Sequence, residues 1–112
     1  MHKIIEIDGQ PRRLESNALL PKKYRNHFGR DLIADLKKLA DGYKKDDPSE
    51  ANMEALERLT WLMLKEGGED VGETPDEWLA TLDTVFGFYE ILPEVVELWA
   101  SSTQTTSKAK KK

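Results

Sequence analysis

Residues 50–66, EANMEALERLTWLMLKE, are apolar almost all the way round when read as a helix. Met53, Leu56, Leu59, Leu62 and Met63 make one face, and Trp61 and Leu64 widen it onto the others. A helix without a solvent side is buried at the centre of a fold or meets a partner. With 112 residues, the chain has material for one modest core and not for a second.

The elements around that helix announce themselves by a change of period. In KIIEIDGQPRRLE, Asp8-Gly9 is a strong two-residue hairpin signal, because a type I′ turn needs positive φ at both central positions. It sets Ile7 opposite Gln10, Ile5 opposite Arg12 and Lys3 opposite Leu14. Ile5, Ile7 and Leu14 then share the face that sits on the helices. Pro11 has no N–H for a ladder, so the second strand is expected at an edge or to be short. A two-stranded unit is marginal alone and must pack on helices or on another chain.

From Ser16 the period is helical. Leu20, Tyr24 and Phe28 form a stripe ended by Gly29, with the regular helix beginning near Leu20 because Pro21 suits a first turn. A second helix follows from Asp31, with Leu32, Leu36, Leu39 and Tyr43 on one side and Gly42 near its end. YKKDDPSEAN is a polar connection, and Pro48-Ser49 starts the central helix with Ser49 as N-cap. KEGGEDVGE is expected to close that helix in a mobile, acidic, solvated loop. TPDEW matches a capping box, with Thr74 as cap, Pro75 in first position and Glu77 reaching back. The last apolar segment, 84–99, should be kinked or divided by Pro93.

The expected architecture is a mainly α, compact domain of about five helices over residues 1–100. A small hairpin occupies about 3–15, and 101–112 form a disordered, flexible Ser/Thr/Lys tail. The core should include Leu20, Tyr24, Phe28, Leu32, Leu36, Leu56, Leu59, Met63, Leu79 and Phe86.

Chemistry is sparse. Cysteine is absent, which removes disulfides and thiolate zinc sites. His27 beside the Phe28 stripe reads as a surface or boundary histidine. Glu69, Asp70 and Glu73 lack the alternating oxygen ligands of a calcium loop. Gly67, Gly68 and Gly72 follow no strand and precede no Lys-Ser/Thr, so they are not a phosphate cradle. No catalytic, cofactor-binding or metal-binding residue is expected, and the chain does not read as an enzyme.

Charge argues against nucleic acid. The whole chain stands at −4, and its last twelve residues carry four lysines and no acid, which leaves the body at −8. Such a body repels a phosphate backbone. A helix-turn-helix over residues 20–43 is opposed by the mixed signs of Arg30, Asp31, Asp35, Lys37, Lys38 and Asp41. No apolar run approaches the roughly eighteen residues of a membrane span, and no signal peptide follows Met1, so a cytosolic location is expected.

Partner surface remains. Trp61, Trp78, Phe86, Phe88, Tyr89 and Trp99 are a large aromatic supply, and core use suffices for most of them. The C-terminal segment has more apolar positions than one helical face holds. Phe88, Tyr89, Leu92, Val95, Val96 and Trp99 are therefore the candidate surface for a partner helix.

Four stretches in order, KIIEIDG, YRNHFGRDL with its Tyr-x3-Phe-Gly-Arg-Asp core, LERLTWLMLK and EILPEVVELWASS before a polar tail, resemble the tail assembly chaperones of long-tailed phages and prophages of Gram-positive bacteria. The likeness covers most of the chain and rests on order and spacing. QPRRLES departs from the family's more regular second strand, and Pro21 from its continuous helix. The resemblance implies a non-catalytic, helical protein of the host bacterial cytoplasm, absent from the mature virion. Such a protein coats the tape measure protein. It also implies a longer frameshifted form that recruits the tail tube protein. Lys110, Lys111 and Lys112 would then mark a linker into a slippage site, since adenine runs encode lysines; a plain solubilising tail is the competing reading. Two other functions stay open: a small oligomerising adaptor, and a nucleic-acid-binding regulator with steeply salt-dependent duplex binding.

Overall fold

A computed structural model describes residues 1–44 and 50–102, and the side chains among them except those of 39–44, 50–53, 85 and 86. The chain is mainly helical with a small N-terminal antiparallel hairpin. Its elements are β1 (His2–Ile7), β2 (Gln10–Glu15), α1 (Leu20–Phe28), α2 (Leu32–Lys44), α3 (Glu50–Glu66), α4 (Pro75–Leu79), α5 (Val85–Tyr89) and α6 (Leu92–Ser102). Among the described residues six helical segments are seen where about five are expected for the chain, because the C-terminal segment is split and α4 and α5 are five residues each.

The hairpin has the register that its turn dictates. Asp8 and Gly9 take φ of 53° and 79°, and the pairs run from Ile7↔Gln10 to His2↔Glu15 without interruption. Ile5, Ile7 and Leu14 are buried together. Pro11 interrupts nothing, because its missing N–H would point away from β1.

α1 starts at Leu20 with Pro21 in its first turn, where no intrahelical donor is needed. It ends at Gly29, whose left-handed φ of 68° lets its N–H donate to the Arg25 carbonyl at 2.8 Å. Two residues on, the Asp31 carboxylate accepts from the N–H groups of Ile33 (2.9 Å) and Ala34 (3.3 Å) and opens α2.

α3 is the centre. Ala55, Leu56, Leu59, Thr60, Trp61, Leu62, Met63 and Leu64 are all buried, so the near-continuous apolar surface is used inside the fold. The hairpin, α1, α2 and α4 all pack on this helix. Of the expected core, Leu20, Tyr24, Leu32, Leu56, Leu59 and Met63 are buried, while Phe28, Leu36 and Leu79 pack at its margin. The side chains of Leu39, Tyr43, Met53 and Phe86 lie outside the described residues, as do the Pro48-Ser49 start and Lys110–Lys112.

The loop after α3 corrects the expectation of a solvated segment. A Cβ on Gly67 would lie 2.2 Å from the Arg13 carbonyl oxygen, so only glycine passes there. The Glu69 carboxylate accepts from Arg12 Nη1 and from the Arg13 backbone N–H, each at 3.0 Å. Val71 is buried, and its carbonyl accepts from Trp61 Nε1 at 3.1 Å. A glycine-rich acidic run therefore clamps β2 onto α3.

Thr74 caps α4 as expected, accepting from the Glu77 N–H at 3.2 Å. Glu77 reaches back one residue further than a standard box, to the Glu73 N–H at 3.0 Å. α5 and α6 are divided between Tyr89 and Leu92, with Pro93 second in α6. Ser101 and Ser102, expected in the tail, are the last residues of α6. Ser102 Oγ donates to the Trp99 carbonyl and lies 2.6 Å from Ser16 Oγ. No buried side-chain polar atom among the described residues lacks a hydrogen-bond partner.

Candidate interaction surfaces

The six C-terminal residues expected to form one partner surface do not share a surface. Phe88, Leu92 and Val95 are buried, and Trp99 is half-buried against the core. Tyr89 and Val96 stay outside, at 47% and 42% exposed. The excess of apolar positions over one helical face is absorbed by the break before Leu92. It lets α5 and α6 turn different faces inward: Phe88 packs edge-on to Trp78, while Leu92, Val95 and Leu98 line the inner side of α6.

The YRNHFGRDL stretch builds a corner instead of a recognition surface. Tyr24 Oη donates to Asp35 Oδ2 at 2.7 Å, and Arg30 grips the same carboxylate through Nε and Nη2, both at 2.8 Å. Arg58 of α3 approaches within 3.9 Å and lies over the Phe28 ring. Asp35 is 6% exposed. The Arg30 guanidinium holds its carboxyl below the usual range against the opposing effect of burial. Burial pushes the Tyr24 phenol up to about 12. Both Asp35 oxygens are held, one by Tyr24 and Arg30 and the other by Arg30, so the arrangement ties α1 to the start of α2. In the sequence Asp35 counts only as one of the mixed charges between Arg30 and Asp41, and nothing there sets it apart as buried.

A cleft of about 280 Å³ opens beside the corner, lined by His27, Phe28, Glu54, Glu57, Arg58 and the Thr74–Asp76 turn. Its residues come from three separated segments, so no local pattern foretold it. His27 is exposed and stacks near Trp61 and Phe28, in keeping with a boundary histidine. Partial burial, with Glu54 and Asp76 nearby, raises the Glu57 carboxyl. The cleft holds no nucleophile–base pair, and no group of three potential metal ligands occurs among the described residues.

No helix among the described residues is long and apolar enough to cross a membrane. Compared with known protein families, curated proteins and solved structures, the chain matches none.

Proposed function

We propose that the chain is a tail assembly chaperone of the kind made by long-tailed phages and prophages of Gram-positive bacteria. In this reading it is not an enzyme. It binds the tape measure protein in the host bacterial cytoplasm, supports tail tube assembly and stays out of the mature virion. A frameshifted longer form, continuing past Lys110–Lys112, recruits the tail tube protein.

The observation that carries the reading is the order and spacing of KIIEIDG, YRNHFGRDL, LERLTWLMLK and EILPEVVELWASS. Support comes from where these stretches lie. Each supplies a different wall of one core, through Ile5 and Ile7, Tyr24 and Phe28, the middle of α3, and Ile91 to Leu98. Motifs without chemistry are what a shared packing scheme produces. Tyr89 and Val96 are the exposed apolar positions that remain from the C-terminal segment for a partner helix. A small oligomerising adaptor is the second reading, favoured by the open strand edge described below.

Co-expression with the tape measure protein of the same locus tests the proposal. The chain should raise the soluble fraction of that protein several-fold. The double variant Tyr89→Ser/Val96→Ser, which gives up only the edge contact of Tyr89 with Phe88, should lose most of that effect while keeping its circular dichroism. A tape measure protein equally soluble without the chain overturns the reading. Synonymous recoding of Lys110–Lys112 from AAA to AAG should abolish any extended product.

A further inference from the structure

The two outer edges of the hairpin are treated differently. Met1 and Ser16 exchange both main-chain hydrogen bonds, at 2.8 and 3.1 Å. By the two-residue period of an antiparallel ladder, Lys3, Ile5 and Ile7 also turn their backbone groups toward β2, and His2, Ile4 and Glu6 turn theirs away. On β2 the outward positions are Pro11, which has no N–H, Arg13, whose N–H is taken by Glu69 and whose carbonyl lies under Gly67, and Glu15 at the strand's end. From Pro11 to Arg13 that edge is closed.

The β1 edge is open. None of the backbone groups of His2, Ile4 or Glu6 has a hydrogen-bond partner among the described residues. All three residues are exposed, Ile4 at 63%. β1 has no proline and no bulge. Lys3, the residue type that guards an edge, is turned to the inner face and tied to Glu94 and Glu97 at 3.4 and 3.1 Å.

We infer that β1 is the interface through which two copies of this chain pair, antiparallel about a dyad at Ile4, into a four-stranded sheet. The strand is complementary to itself in this register. Ile4 meets Ile4 of the second copy, His2 meets Glu6, and Glu6 meets His2. Each opposed pair exchanges both backbone hydrogen bonds. An apolar pair sits at the centre and opposite charges flank it whenever the imidazole is protonated. Shifting the register by two residues sets Ile4 against His2 or Glu6 and loses an outward pair. Opposed residues in an antiparallel ladder project to the same face, so the helical layers of both copies lie on one side of the sheet. The two copies of α6, which packs on β1, are brought beside the dyad. The pairing converts a two-stranded sheet, marginal alone, into a four-stranded one. It holds whether or not the chain is a tail assembly chaperone.

Sedimentation equilibrium of the full chain should give twice its 12.8 kDa mass. Ile4→Pro removes an outward N–H and the central apolar pair, takes no donor from the ladder to β2, and should raise the dimer dissociation constant at least about tenfold. As the chain has no cysteine, Ile4→Cys can form a disulfide only between copies. Opposed Cα atoms in such a pair stand about 5.5 Å apart, within bridging range. Ile4→Cys should oxidise to a covalent dimer at low concentration. Ile33→Cys, also exposed but on α2, should not. A wild-type monomer, or a dimer that persists in folded Ile4→Pro, overturns the inference. If Ile4→Pro does not fold, Ile4→Cys bridging no faster than Ile33→Cys overturns it.

Discussion

The α1–α2 corner and the β1–α6 seam are both joined by ions at similar distances, yet they do opposite things for the fold. At the corner, Asp35 is buried and meets Arg30 at 2.8 Å through two nitrogens, with Tyr24 completing its shell. At the seam, Lys3 reaches Glu97 at 3.1 Å and Glu94 at 3.4 Å with all three side chains open to water. Water screens the seam and competes for it, so those pairs align the elements without holding them. At the corner the carboxylate is buried although Arg30 keeps one side in water, and Asp35 and Tyr24 depend on each other remaining in place. Distance alone does not say what an ion pair is worth; the burial of its carboxylate does.

The comparison breaks most visibly at Asp35. Asp35→Ala leaves the Tyr24 hydroxyl buried without its acceptor and should cost about 3 kcal/mol in urea unfolding at neutral pH. The wild type should carry a matching acid signature. Because the folded carboxyl titrates below its ordinary value of 3.8, its contribution is complete above that value. It is lost as the pH falls through the lower, folded one. Asp35→Ala should therefore show a shallower loss of stability below about pH 4 than the wild type. Equal slopes would mean that the carboxylate is not tied in the way described.

Arg30→Lys sharpens the same contrast with a smaller effect. A point charge cannot reproduce the two-nitrogen grip, but the guanidinium is 43% exposed and water shares it. A loss of about 1 kcal/mol or less is expected by the same unfolding assay, after allowing for that screening. Lys3→Ala should be the smallest. No measurable shift of the unfolding midpoint is expected, and a clear destabilisation that disappears at high salt would erase the distinction between corner and seam.

The sequence disclosed the hairpin and its register because a two-residue Asp-Gly turn leaves one pairing. It disclosed α1 because Leu20, Tyr24 and Phe28 repeat on one face and Gly29 stops them. Asp35 was not legible. Its donors lie five and eleven residues away along a bent path, and nothing in a charged helix marks one carboxylate as inward. The loop after α3 was misread for a related reason. Glycines and acids are what a solvated loop contains, and the partners that make Gly67 and Glu69 structural are more than fifty residues upstream. The C-terminal surface was overdrawn because a count of apolar positions assumes one continuous helix. Two short helices expose different faces, and of the six residues only Tyr89 and Val96 stay exposed.

The contacts at Ser16 and Lys3 also set a timetable. Ser16 touches Ser102, and Lys3 touches Glu97, across separations of 86 and 94 residues. β1 is thus faced by the last of the described helices to be made. Local pieces such as α1 with its glycine cap can form as they emerge. The inner side of β1 has no permanent neighbour from α6 until translation has passed residue 102. Closing the fold is therefore a long-range, late event, of the kind that slows folding at a given stability. A newborn β1 spends the whole of that interval with its outer edge, and the part of its inner side that meets α6, on offer.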